Sequence, residues 1–138
     1  VRIAALDYGK VRIGFAVTDE AKIIVQTPIP PLRNDKQFFK KIKQTVKDLN
    51  IEKIIVGLPV ALSGGQTAQT EETQGFVDEL RNQLQISIET ADERLTSKFS
   101  QNMLRESGLS AKEQKQYIDN QSAQIILTNY LKQHEHKK

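Results

Sequence analysis

Four carboxylates in this chain occupy positions where a side chain could do chemistry rather than only meet water. Asp7 ends an apolar run, RIAALD, just before a tight Tyr8-Gly9-Lys10 turn. Asp92 and Glu93 follow a second such run in ISIETADER. Asp119 lies inside a helical pattern, YIDNQSAQIILTNYL, in which Asp119, Ala123, Ile126 and Tyr130 recur at spacings of four, three and four. Those positions share one helix face. An unpaired charge on that apolar face is expensive, so a basic partner, water or a metal must compensate it. Carboxylates gathered at one site repel each other, and a hard divalent cation removes the repulsion. Paired metal ions activate water and stabilise the leaving oxygen of a phosphodiester. Lys10 and Arg12, next to Asp7, suit contact with phosphate.

Each residue also has a plainer reading. Asp7 taken alone serves equally well as a turn residue. Asp92 suits the cap of a following helix, as do Thr96 and Ser97, which leaves Glu93 the better chemical candidate. Asp119 fits an ion pair, and Lys10 and Arg12 fit solvated strand ends. Gly64-Gly65 is a weak phosphate-loop signal. His134 and His136 have metal-like spacing but fall in the terminal tail, so no Ser/His/Asp triad is suggested. The chain has no cysteine, which removes disulfides, thiolate metal sites and a Cys nucleophile.

The elements that must position these residues follow from periodicity. Residues 2–7, 11–18, 22–27, 52–59 and 86–94 read as strands. TPIPPLRN carries three prolines and reads as a stiff connector. Asn34-Asp35 offers a cap for a helix over 36–49. ALSGGQTAQTE reads as a loop, and helical spacing returns at Phe76, Val77, Leu80 and Leu84. A further helix covers 95–108, with Gly108 as its stop. Ser110 and Glu113 resemble a capping box opening a long helix to about residue 133, with 133–138 expected to fray. The order β-β-β-α-β-α-β-α-α predicts one α/β domain over 1–138: three antiparallel strands, then two parallel ones, flanked by helices. If the first, fourth and fifth strands are parallel neighbours, Asp7 and Glu93 meet at their carboxyl edge, the usual site in such sheets. Asp119 reaches that edge from the covering helix.

The bulk properties are compatible with this. Net charge is +3 over 138 residues and the pI about 9.1, which permits a nucleic-acid partner. No apolar run approaches the roughly 18 residues of a membrane span, so no membrane partner is expected. The N-terminus, which starts with Val, shows no signal-peptide pattern. The missing cysteines suit a cytoplasmic location.

Five motifs, ALDYGKVRIGFAVTD, IIVGLPVALSG, QTEETQGFVDEL, DERLTS and DNQSAQIIL, resemble in order and spacing the YqgF/RuvX family. The resemblance runs from Ile3 to about Leu131. These small bacterial proteins are described as Holliday junction resolvases and implicated as pre-16S ribosomal RNA nucleases. The resemblance implies a ribonuclease H-like fold with a five-stranded mixed sheet. It implies that Asp7, Glu93 and Asp119 are the metal-binding catalytic acids, with Mg²⁺ or Mn²⁺ as cofactor and two ions when substrate is bound. Arg12 and Arg94 fall on basic positions of the family, and with Lys10 we assign them to substrate phosphate. Gly9 belongs to the DYG turn, and Gly57 and Pro59 match a strand-end motif. Ser122 departs from the pattern, standing where Ala is expected.

The expected activity is metal-dependent hydrolysis of structured nucleic acid, with 5′-end processing of precursor 16S rRNA favoured and ribosomal particles as possible partners. Holliday junction cleavage on DNA is the alternative, and both a monomer and a homodimer fit the sequence. LDYGKVRIGFAVTD also resembles the phosphate loop of actin-like ATPases and sugar kinases, whose second lobe 138 residues do not accommodate. A catalytically silent RNA-binding, ribosome-assembly module is a third class, against which the presence of all three acids argues.

Overall fold

In the computed structural model, residues 1–59, 67–92 and 111–135 are described. β1 (Arg2–Asp7) and β2 (Arg12–Thr18) form a hairpin. β3 (Val25–Gln26) and β4 (Leu32–Arg33) are two-residue strands on the outer edge of β2. α1 (Phe38–Leu49), β5 (Ile51–Leu58), α2 (Ala68–Gln83), β6 (Ser87–Asp92) and α3 (Ala111–Glu135) follow. The main strand order is β3-β2-β1-β5-β6. β1 is antiparallel to β2 and parallel to β5, and β5 is parallel to β6. This is the expected mixed sheet, with β4 added beside β2.

Alternation along the strands divides the core into two layers. Ala4, Leu6, Ile13, Phe15, Val17, Ile54 and Val56 pack with Phe38 and Ile42 of α1 and Phe76, Val77 and Leu80 of α2. Ile3, Ala5, Ala16 and Ile55 pack on the other face with Ala123, Ile126, Leu127 and Tyr130 of α3. Strands covered on both faces are apolar on both faces, which is why the runs in this sequence are nearly continuous rather than alternating.

Several local devices differ from the sequence reading. The third strand shrinks from 22–27 to Val25–Gln26 because Asp19 shapes the preceding turn. The Asp19 carboxylate accepts the backbone N–H groups of Ile23 (2.9 Å) and Ile24 (3.0 Å), and these two bonds hold its pKa below the ordinary value. Lys22 takes a positive φ of 60° in the same turn. α1 starts at Phe38 rather than 36, and its N-cap, Gln37, makes no side-chain cap bond. Asp35 instead accepts Gln37 N–H at 2.9 Å, ahead of the helix. Asn50 closes α1 in the left-handed region, a conformation Asn tolerates. α2 begins inside the expected loop: Thr67 and Thr70 form a reciprocal capping box, and the Thr70 hydroxyl donates to the Pro59 carbonyl. That bond ties the exit of β5 to the first turn of α2. α3 continues to Glu135, into the segment expected to fray. The expected helix over 95–108, the Ser110 cap and Gly64-Gly65 lie outside the described residues.

Candidate active site

The geometry starts at the carboxyl edge of β1. Asp7 has the same parity as Ile3 and Ala5, whose side chains meet α3. Tyr8, the next residue, goes to the opposite layer, where its ring packs 4.6 Å from Phe76 and its hydroxyl donates to Glu72 at 3.4 Å. Asp7 is therefore half-buried on the α3 side of the sheet. Gly14 is its partner on β2. One step beyond the Leu6–Val56 pair, Asp7 comes level with Gly57 of β5, which pairs with Ala91 of β6. Gly14, Asp7, Gly57 and Ala91 thus make one row across four strands. Three of the four carry no side chain or only a methyl, so the row is a shallow floor with a carboxylate set into it.

The turn behind Asp7 is tied by Asn34. Asn34 donates its side-chain N–H to the Gly9 carbonyl (2.7 Å) and its backbone N–H to the Val11 carbonyl (2.9 Å). A Cβ on Gly9 would lie 2.4 Å from the Arg12 carbonyl oxygen, so the close approach of the two backbones requires glycine. Lys10 is exposed and Arg12 half-buried at this end of β2.

α3 reaches the same edge. Asn120 meets Phe15 of β2, whose partner Leu6 adjoins Asp7. Ten residues later, Tyr130 meets Lys53, which pairs with Ile3 near the start of β1. The helix therefore runs from the carboxyl edge to the amino edge, and its backbone at position 119 falls at the level of Asp7. The described side chains of α3 begin at Asn120, and those of Ala123, Ile126 and Tyr130 are buried as the spacing predicts. Glu93 directly follows β6 in sequence; Glu93 and Arg94 lie outside the described residues, as does the side chain of Asp92. Among the described residues no cluster of three His, Cys, Asp or Glu side chains forms.

Asn120 is a residue the sequence reading passed over. Its side-chain oxygen accepts Phe15 N–H at 3.0 Å and its side-chain N–H donates to the Ile29 carbonyl at 2.9 Å. The physical reason lies in the prolines. Between β3 and β4, Pro28, Pro30 and Pro31 have no N–H to offer β2. Asn120 supplies one acceptor and one donor, and so stands in for the missing peptide of an interrupted edge strand. The available signal was the amide side chain beside Asp119, read together with a proline-broken segment.

The chain matches the family described as "RuvX: Holliday junction resolvase" over residues 1–133. It belongs to the RuvX family. Among RuvX relatives, a protein of Sulfurihydrogenibium sp. (strain YO3AOP1) is 39% identical over 132 residues, covering 94% of this chain and 89% of the relative. One from Clavibacter sepedonicus is 36% identical, covering 92% and 80%. Both carry the name "Putative pre-16S rRNA nuclease". T. thermophilus RuvC, solved in complex with a Holliday junction substrate, shares the fold at 11% identity, with a TM-score of 0.58 over 98% of this chain and 96% of that one. A second structure of Thermus thermophilus RuvC gives a TM-score of 0.55 at 13% identity. The fold of this RuvX protein is thus the ribonuclease H-like arrangement that the motifs implied.

Proposed function

We propose that this protein is a metal-dependent endonuclease that hydrolyses phosphodiester bonds in structured nucleic acid. Its proposed task is 5′-end processing of precursor 16S rRNA, in the cytoplasm and on ribosomal particles. The observation that carries the reading is the carboxylate of Asp7 set into the Gly14–Gly57–Ala91 floor, at the edge where α3 arrives. The names of the RuvX relatives support the substrate.

The residues fit a hard divalent cation. Carboxylate oxygen is the donor type that Mg²⁺ and Mn²⁺ prefer, and the glycines beside Asp7 leave space above the sheet for an ion and a phosphate. Asp7, Glu93 and Asp119 would hold the metal, which when bound supplies charge neutralisation and water activation. Asp7 enters on a strand locked between β2 and β5, so its position costs little reorganisation. Asp119 enters on α3, whose register Asn120 pins. Lys10, Arg12 and Arg94 hold phosphates that flank the scissile one, which aligns the backbone for in-line attack. The products carry a 3′-hydroxyl and a 5′-phosphate.

The test is cleavage of a precursor 16S rRNA fragment and of a four-way DNA junction, side by side, with and without Mg²⁺. Asp7→Asn should lower cleavage by about a hundredfold or more, since loss of even an outer-shell partner of a metal costs tenfold to a hundredfold. Wild-type cleavage by Asp7→Asn would sink the assignment. Preference for the junction would favour the second reading, DNA junction resolution, to which the family description points.

A further inference from the structure

At the outer end of β2, two arginines stand opposite each other. Arg12 of β2 is the direct cross-strand partner of Arg33 of β4, next to the Ile13–Leu32 pair. Ile13 and Leu32 pack into the α1–α2 layer, so Arg12 and Arg33 both turn to the α3 face, the face of Asp7. Directly opposed like charges destabilise a strand pair. Here the pairing is nevertheless held firmly, by Asn34 on the Gly9 and Val11 carbonyls. Arg33 is exposed. Arg12 lies two residues along β2 from Gly14, the partner of Asp7, or about 7 Å along the strand. Exposed Lys10 adjoins the same turn. Two arginines on directly opposed backbone positions, on the face of the candidate acid, suit the two non-bridging oxygens of a backbone phosphodiester.

We propose that Arg33 and Arg12 form a clamp for a backbone phosphate of the nucleic acid, flanking the phosphate presented to Asp7. The proposal rests on the nuclease reading above for the location of the scissile bond, and adds Arg33 to the residues assigned there. A residue in a proline-rich connector becomes a binding residue because β4 brings it into register with β2. The ligand chemistry, a phosphodiester backbone, is common to RNA and DNA.

The experiment measures binding of a labelled RNA hairpin and of a labelled four-way DNA junction to the full chain, in EDTA, as a function of salt. Loss of one phosphate contact should lower the slope of log K against log salt by about 0.7 to 0.9. Arg33→Gln should show that reduction and bind about fivefold more weakly at roughly 0.15 M salt, without regard to sequence. Arg33→Lys should keep the slope. Lys43→Gln, which removes the same charge from the exposed side of α1, should leave it unchanged. A reduced slope on RNA alone or on DNA alone supports the clamp and names the polymer. An Arg33→Gln slope equal to that of the wild type on both polymers overturns the clamp, as does an equal loss in Lys43→Gln or a wild type that binds neither polymer. A wild type that binds through Arg33 but never cleaves with Mg²⁺ overturns the nuclease reading and leaves the clamp standing.

Discussion

Two aspartates lie at the ends of neighbouring strands, in different surroundings. Asp19, after β2, accepts two backbone N–H groups and is a turn residue in the full sense. Asp7, the last residue of β1, is followed by a turn that Asn34 holds, and it lies on the α3 face beside side-chain-free positions. Ser122 is a second case decided by surroundings. It is buried on α3 at 1% exposure, and its hydroxyl oxygen has no hydrogen-bond partner among the described residues. A buried hydroxyl without a partner costs about 1–3 kcal/mol. Ser122→Ala should therefore raise stability by about 1 kcal/mol in urea unfolding; a loss of stability would show that the hydroxyl is satisfied in solution.

At the scale of the element, α3 is fastened at both ends to the sheet it covers. Asn120 bonds β2 and the proline segment near the carboxyl edge. Tyr130 accepts from Lys53 at 2.9 Å near the amino edge. Apolar packing by Ala123, Ile126 and Leu127 lies between and is non-directional, so the polar ends set the helix register. Asn120→Ala leaves Phe15 N–H and the Ile29 carbonyl unpaired, at a cost of about 1–3 kcal/mol. Thermal or urea unfolding should show that loss, and hydrogen exchange at the Phe15 amide should accelerate. Unchanged protection at Phe15 would mean that the bond is not the register pin.

Across the whole molecule, the two ends of the parallel strands are chemically different. The carboxyl edge carries Asp7, the glycine floor and the cations. The amino edge carries a closed polar cluster in which Lys53 bonds Tyr130 and pairs with Glu89 at 3.5 Å. The bond to Tyr130, first, raises the Lys53 pKa, and burial raises that of Tyr130. Both groups therefore hold their protons more tightly when folded. Their contribution is fully present below the ordinary values of 10.5 and 10.0 and is lost as pH rises through the folded values. Thermal stability should fall as pH climbs above about 10, and Tyr130→Phe should lose most of that alkaline component. An identical alkaline decline in both proteins would remove this cluster as its source.

The sequence by itself determined the types of the described elements other than β4, the burial of the α3 stripe at Ala123, Ile126 and Tyr130, and the family. These depend on local periodicity, turn chemistry and motifs spread along the chain. Strand boundaries near 22–27 were less legible, because a side chain outside the run, Asp19, captures the amides that the strand would have used. The tertiary structure alone decided which residues stand in one row: Gly14, Asp7, Gly57 and Ala91 come from four strands, and although the hairpin turn sets the Asp7–Gly14 pair, the parallel pairings join segments far apart in the chain. It also decided that Asn120 replaces a peptide and that Arg33 faces Arg12. Both follow from the prolines of residues 27–33, which break the edge strand in two and leave a gap for a helix side chain on one side and a short, cation-bearing strand on the other.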